Sequence, residues 1–249
     1  MEAKKKYALL QCAEDTDYVK EAYGGYLKVF MGLLQEEGEE WNVYMAEKGE
    51  FPAGSDVDGY DGFVISGSSS DAHGEEEWIK SLVELVRVLD ARKKKVLGVC
   101  FGHQIIGRAL GGKTGRAAKG WDIGVTSINP SSNLSKFFSP LEAPSQLSVI
   151  ECHRDEVWEL PPSVEVLARS DRTEIEMFKF DDHIMGIQGH PEYTKDVLLH
   201  LIGRLLDLNL IQREHAENVK KELNEREPDR EAWEKLCRGF LKGKLEMNQ

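Results

Sequence analysis

The stretch that decides the fold reads Lys95-Val96-Leu97-Gly98-Val99-Cys100-Phe101-Gly102-His103-Gln104. An apolar strand runs into Cys100 and a helix opens at once, with a glycine two positions before and two positions after the cysteine. Small flanking residues allow the sharp strand-to-helix turn that is typical of a nucleophile elbow. Such a turn holds the sulfur at the carboxyl end of a sheet, where the helix N-terminus favours the thiolate. A buried structural cysteine is the alternative that this stretch leaves open.

Strands and helices alternate on both sides of this stretch. Apolar runs predict strands over residues 7–12, 41–45, 62–66 and 96–99. Helical periodicity predicts a first helix that starts at residue 19 and stops at Gly38, and a second over 78–89. A third helix follows the strand 96–99 and runs to about residue 110, and a fourth covers about 195–209. This rhythm predicts an α/β fold in three layers, with a mostly parallel, flavodoxin-like central sheet and helices on both faces.

The rest of the chain departs from this rhythm. Short β-like runs at 147–151, 164–170, 174–180 and 183–188 predict a small β-rich portion. After Pro228, apolar residues recur at helical spacing and predict a terminal helix packed on the core, with a partner-binding helix as the alternative: Trp233, Leu236, Cys237, Phe240 and Leu241. We expect a single domain over 1–249, with a core over about 7–210 and a C-terminal helical extension over about 212–245.

Composition excludes several kinds of partner. The chain has 249 residues and a formal net charge of −12, which repels nucleic acid and anionic lipid. No apolar run approaches the roughly 18 residues of a membrane span. The four cysteines lack zinc-ligand or disulfide-framework spacing, and the apolar run near the N-terminus is too short for a signal peptide. We therefore expect a cytosolic protein without membrane or nucleic-acid partners.

A second motif reads Ile187-Gln188-Gly189-His190-Pro191-Glu192 and follows a predicted strand. Residues two apart in an extended segment point the same way, so the imidazole of His190 and the carboxylate of Glu192 share one side. A carboxylate beside a histidine fixes its tautomer and stabilises the imidazolium. By itself the motif is equally well explained as a surface turn.

A third motif is the small-residue loop Ser66-Gly67-Ser68-Ser69-Ser70, which follows a strand end. Such a loop can present a backbone N–H to an oxyanion, and the N–H of Phe101 is the natural second donor. A flexible loop is the alternative.

These three motifs, in this order, resemble the class I glutamine amidotransferase family from about residue 7 to 210. The resemblance implies that Cys100 is the nucleophile, His190 the general base and acid, and Glu192 the group that orients it. It also implies that the backbone of Ser68 and Phe101 forms the oxyanion hole. The residues that it places around the substrate are Gly67, Gln104, His153, Arg154 and Asp155. Two positions depart from the family pattern, which usually has glycine where Ser68 stands and often has glycine where Arg154 stands.

The implied reaction is hydrolysis of a γ-glutamyl amide through a γ-glutamyl thioester, with no metal or organic cofactor. The whole chain, including its tail, resembles the stand-alone plant γ-glutamyl peptidases, which implies glutathione or its S-conjugates as substrates in routes to compounds such as glucosinolates. No phosphate-binding loop is present, so no ATP-using synthetase partner is expected in this chain. Two alternatives remain: a glutaminase subunit that hydrolyses glutamine and supplies ammonia to a separate synthetase, and a non-catalytic binding protein. Neither a required protein partner nor an oligomeric state is predicted.

Overall fold

A computed structural model describes residues 4–132, 134 and 146–245 of the chain. The strands in this part of the chain are β1 Lys6–Gln11, β2 Glu40–Met45, β3 Gly62–Ile65, β4 Lys95–Val99, β5 Lys113–Arg116, β6 Asp122–Pro130, β7 Leu147–His153, β8 Asp155–Glu159, β9 Glu165–Arg169, β10 Met177–Phe180 and β11 Ile184–Ile187. The helices are α1 Asp17–Tyr23, α2 Tyr26–Leu34, α3 Glu77–Ala91, α4 Phe101–Ala109, α5 Lys195–Asp207, α6 Arg213–Leu223 and α7 Arg230–Leu241. None of these helices is long and apolar enough to cross a lipid bilayer.

The central sheet of the described residues has nine strands, in the order β2-β1-β3-β4-β11-β10-β9-β6-β7. The strands from β2 to β11 in this order run parallel. The neighbours from β11 to β7 pair antiparallel, and β5 pairs with β8 in a separate sheet. The predicted α/β fold is confirmed. The β-rich portion does not stand apart, however, because β9, β6 and β7 extend the central sheet.

The sequence predictions omitted β5, β6 and β8. β5 reads Lys-Thr-Gly-Arg and carries no apolar alternation. Its strand conformation comes from its pairing with β8 rather than from its own side chains. A period-two pattern identifies a strand only where one of its faces is apolar, so this strand gives no local signal.

The prediction of one continuous helix from residue 19 to Gly38 is wrong, because the structure has two helices in this range. Gly24 and Gly25 adopt φ angles of 80° and 105°, which L-residues rarely reach and which end α1. The side chain of Asp15 accepts a hydrogen bond of 2.7 Å from the N–H of Tyr26 and so caps the start of α2. The second helix ends at Leu34, before Gly38.

Three apolar clusters hold the layers together. α2 and α7 cover one face of the parallel strands, and α3 and α4 cover the other. The third cluster packs α1, α5 and α6 against β6 and β7. The carboxyl ends of β3, β4 and β11 therefore meet at one edge between two covered faces.

The predicted apolar stripe of the terminal helix is buried, with each of its five residues at most 1% exposed. The indole N–H of Trp233 donates to the carbonyl of Ser148 at 2.9 Å, and Arg238 donates to the carbonyl of Leu33 at 2.8 Å. The stripe thus contacts the core of its own chain. We propose on this basis that the C-terminal extension belongs to one domain with the rest of the chain.

Replacement of Gly102 tests the close packing of the first turn of α4 against β3. A methyl group there would lie 2.3 Å from the carbonyl oxygen of Ile65 on β3, which is closer than real contacts allow. We expect Gly102→Ala to lower the free energy of unfolding by about 1–3 kcal/mol in urea titrations. Gly203→Ala is the control, because a methyl group at that position of α5 meets nothing within 4 Å. Equal effects of the two substitutions would contradict the packing argument.

Candidate active site

Cys100 stands between β4 and α4 in a strained conformation, with φ 52° and ψ −104°. Its N–H donates to the carbonyl of Ile187 at 2.8 Å, which joins the turn to β11. A methyl group on Gly98 would lie 2.6 Å from the carbonyl of Gly102, so the chain passes itself at a distance that only glycine permits. The turn has the geometry of a nucleophile elbow, and its cysteine is 6% exposed.

His190 reaches the same edge of the sheet from the end of β11. Its N–H donates to the carbonyl of Ile150 at 2.7 Å, which fixes the segment against β7. Its Nδ1 lies 2.8 Å from a carboxylate oxygen of Glu192, and both side chains are buried. The two groups lie on one side of the extended segment.

The loop after β3 completes this grouping. A methyl group on Gly67 would lie 2.9 Å from Cε1 of His190 and 3.7 Å from Cβ of Cys100, so the three residues are in close contact. Burial alone lowers the pKa of His190, but Glu192 and Cys100 outweigh it and raise that pKa to about 10. The arrangement therefore favours the imidazolium form beside the sulfur.

The predicted oxyanion donors lie on either side of this grouping. Phe101 is the first residue of α4, and Ser68 follows Gly67 in the loop. Within residues 4–132, 134 and 146–245, neither backbone N–H donates to a protein acceptor. The loop is held by Ser66, whose hydroxyl accepts from the N–H of Cys12 at 2.9 Å. The oxyanion role of these two backbone groups stays a prediction.

The other predicted substrate-binding residues come from two parts of the chain, namely Gln104 on α4 and the segment from His153 to Asp155. Gln104, one turn into α4, donates to the carbonyl of Asp155 at 2.8 Å, and His153 contacts that same carbonyl at 3.0 Å. The structure therefore brings Gln104 and the segment from His153 to Asp155 together beside the elbow. The carboxylate of Asp155 is bound by Arg116, and the side chain of Arg154 is directed to the ring of Trp121.

One set of side chains has the donor types of a metal site. Asp71, His73 and Asp155 each place a ligand atom within 4.8 Å of the others. The guanidinium of Arg116 hydrogen-bonds to both carboxylates, at 3.1 Å in the case of Asp71. The cation that balances these acids is therefore an arginine of the chain itself.

Sequence reasoning missed Tyr193, which stacks on the candidate base. Its ring lies 4.1 Å from the imidazole of His190, with an angle of 2° between the planes. The tyrosine is buried and also lies near the ring of Tyr26. The sequence gives no sign of this role, because an aromatic residue three positions after a histidine could equally well be an ordinary core residue.

Sequence reasoning also missed a buried acidic cluster behind the site. Glu151 and Glu176 are at most 1% exposed, and neither carboxylate pairs with a lysine or an arginine among the described residues. Burial raises the pKa of Glu151 well above 4.5, and the charge of Asp122 raises it further. The imidazole of His153 lies 3.2 Å from Glu151. The acid between the apolar Ile150 and Cys152 of β7 was the available signal.

Fold and site together define an α/β protein of the glutamine amidotransferase type, with a cysteine elbow facing a histidine–glutamate pair. The family model for glutamine amidotransferase class-I matches residues 18–200. Gamma-glutamyl peptidase 3 of Arabidopsis thaliana is 48% identical and covers 98% of this chain and 99% of its own. Gamma-glutamyl peptidase 5 of that plant is 46% identical, with 97% of each chain covered. The chain belongs to the class I glutamine amidotransferase family.

Solved structures share the fold. A glutamine amidotransferase from Thermotoga maritima superposes with a TM-score of 0.72 at 20% identity, covering 98% of this chain and 99% of its own. A glutamine amidotransferase from Methylobacillus flagellatus gives a TM-score of 0.70 at 17% identity, covering 99% and 97%. At these identities the likeness concerns the fold alone.

Removal of the ring that stacks on His190 should change the reactivity of Cys100. An aromatic neighbour fixes the imidazole and stabilises its cationic form. We expect Tyr193→Ala to slow alkylation of Cys100 by iodoacetamide at neutral pH by roughly three- to tenfold, and Tyr193→Phe to retain the wild-type rate. Mass spectrometry of the modified peptide measures the rate, with Cys100→Ser as the background. An unchanged rate in Tyr193→Ala would rule out this role of the ring.

The buried acids should make stability depend on pH. Above pH 4.5 the unfolded chain ionises Glu151, whereas the folded protein retains the proton because its pKa is raised. The free energy of unfolding therefore falls as the pH rises toward the folded pKa. We expect wild type to lose stability relative to Glu151→Gln between about pH 5 and 8, by at most ~1.4 kcal/mol per pH unit. Urea unfolding at several pH values measures this.

Glu174→Gln is the control for that experiment, because Glu174 is 76% exposed at the side chain and pairs only with Arg169 among the described residues. Its stability should follow the wild-type pH curve. A Glu151→Gln curve parallel to wild type over the whole range would show that Glu151 is ionised in the folded protein.

Proposed function

We propose that the chain is a cysteine-dependent γ-glutamyl peptidase, a hydrolase that releases glutamate from γ-glutamyl amides. The observation that carries this proposal is Cys100 in its strained turn, in contact with a buried His190–Glu192 pair. Relatives named gamma-glutamyl peptidases are 43% to 48% identical over nearly the whole chain, which supports the same activity here.

In the proposed reaction, the thiolate of Cys100 adds to the γ-carbonyl carbon. The N–H groups of Ser68 and Phe101 donate to the oxyanion, and such a donor is worth on the order of 3 kcal/mol. His190, held by Glu192, gives its proton to the departing nitrogen as the C–N bond breaks. Water activated by His190 then attacks the γ-glutamyl thioester, which releases glutamate and restores the thiol.

The proposed substrates are glutathione and its S-conjugates. Gly67, Gln104, His153 and Asp155 lie around the elbow and would contact the glutamyl part, and Arg154 of the same segment would contact the substrate beyond it. The free thiols of Cys12, Cys100, Cys152 and Cys237 suit a reducing compartment, and we place the enzyme in the cytosol.

Hydrolysis of glutamine is the second candidate, favoured by the family model that matches residues 18–200. Glutamine presents the same γ-glutamyl carbonyl, and its leaving group is ammonia rather than a peptide. Glutamate release from glutamine, increasing when a synthetase is added, would support this candidate over the peptidase.

Substitution of the three grouped side chains tests the proposal. We expect Cys100→Ala to lower glutamate release from S-methylglutathione by at least about 10³-fold, and Glu192→Gln by about 10²-fold or more. His190→Asn should resemble the cysteine variant, because neither proton transfer can occur. Enzymatic detection of free glutamate measures each rate.

Cys12→Ala is the matched control, because Cys12 is fully buried and cannot reach substrate. It should retain wild-type activity once folding is verified by circular dichroism. Full activity of Cys100→Ala would exclude cysteine catalysis, and the absence of glutamate release from any γ-glutamyl compound would leave a non-catalytic binding protein.

A further inference from the structure

Arg154 is a half-buried arginine beside the active site whose guanidinium has no anionic partner among the described residues. Its side-chain neighbour is the ring of Trp121, whose centroid lies 5.6 Å from Cζ of Arg154. Its backbone carbonyl accepts a hydrogen bond of 2.9 Å from Ala117, so the segment itself is held in place. The chain has a net charge of −12, yet within its described part no carboxylate pairs with this arginine.

Strand register explains why this arginine meets a tryptophan. In the antiparallel pair of β6 and β7, Ile123 lies opposite Cys152 and Asp122 lies opposite His153. Trp121 and Arg154 are the next residues of the chain beyond the last of these pairs. Opposed residues share a face of the sheet, and successive residues alternate between faces. The side chain of Arg154 meets the ring of Trp121, which packs with Cys152 and Ile123 in the third apolar cluster.

The two faces of this strand end have different chemistry. On one face, His153 and Glu151 are buried, and the imidazole lies 3.2 Å from the carboxylate. On the other face, Trp121 and Cys152 are partly buried against the cluster that contains Tyr193, the residue stacked on His190. Arg154 thus lies on the side of the candidate base, which delivers a proton to the leaving nitrogen.

We infer that Arg154, supported by Trp121, binds the free carboxylate at the C-terminal end of the leaving peptide. This inference rests on the proposed function. Ile150, which bridges to His190, is four residues before Arg154, and at about 3.3 Å per residue the Cα atoms are roughly 13 Å apart. A leaving dipeptide spans about 7 Å in extended form, and the arginine side chain covers the remaining distance.

The chemistry of arginine fits this ligand. A guanidinium presents a planar fork of donors that matches a carboxylate, and its flat face stacks on an aromatic ring. Contact with the tryptophan restricts the side chain, and a guanidinium stacked in this way can still donate to a ligand from its edge. Such a contact favours γ-glutamyl peptides with a free C-terminal carboxylate over glutamine, whose leaving group offers no carboxylate.

The test compares two substrates that differ only in this carboxylate: S-methylglutathione and its C-terminal amide. We expect wild type to have a kcat/KM roughly tenfold or more higher for the acid, mainly through KM. Arg154→Gln should lose this preference by raising KM for the acid and leaving the amide unchanged. Arg154→Lys should retain part of it, because the charge remains without the fork. Arg169→Gln is the matched control, since Arg169, the last residue of β9, is exposed and pairs with Glu174.

Each outcome has a distinct meaning. Equal cleavage of acid and amide by wild type, or an equal loss for both substrates in Arg154→Gln, would overturn the inference and leave the peptidase intact. If Arg169→Gln also loses the preference for the acid, the preference depends on the net charge of the protein rather than on Arg154, which would likewise overturn the inference. If wild type releases glutamate from neither compound, the proposed function fails and the inference with it.

Discussion

The left-handed backbone of Cys100 is the constraint on which the rest of the structure depends. A non-glycine residue in such a conformation costs of order 1–3 kcal/mol and persists only where its surroundings determine it. Here β4 lies between β3 and β11, and the N–H of the cysteine is bonded to Ile187. The glycines at 98 and 102 allow the strand, the helix and β3 to approach closely enough to hold the turn. The strained backbone is therefore that of the residue whose sulfur we propose as the nucleophile.

The antiparallel half of the sheet supplies the second wall of the site. β7 contacts the segment after β11 through the bridge between Ile150 and His190, so the imidazole position depends on a strand that is far away in the order of the sheet. The same strand ends at His153 and leads to Asp155, whose carbonyl accepts from Gln104 and lies 3.0 Å from the imidazole of His153. The part of the chain that departs from the βα rhythm is therefore what completes the site.

The C-terminal helices also contribute to the site. Arg230 at the start of α7 donates to the backbone carbonyls of Glu192 and Tyr193, at 3.0 and 3.2 Å. The helix is held in turn by its buried apolar stripe, with Trp233 bonded to β7 through Ser148. The tail thus fixes the segment that carries both the carboxylate and the stacked ring. A chain truncated before α7 would lose these hydrogen bonds.

The sequence by itself determined the features that local pattern encodes: the elbow around Cys100, the pairing of His190 with Glu192, the α/β class and the apolar face of α7. These follow from turn chemistry and side-chain periodicity, which are properties of neighbouring residues. The break at Gly24 and Gly25 was also local, and the helical periodicity on both sides obscured it. Only the tertiary structure decided that β6 and β7 extend the sheet, that Tyr193 stacks on the imidazole, and that Arg154 meets a tryptophan and, among the residues that the structure describes, no carboxylate. Strand register, ring stacking and charge pairing join residues that are distant in the chain, so no local pattern contains them.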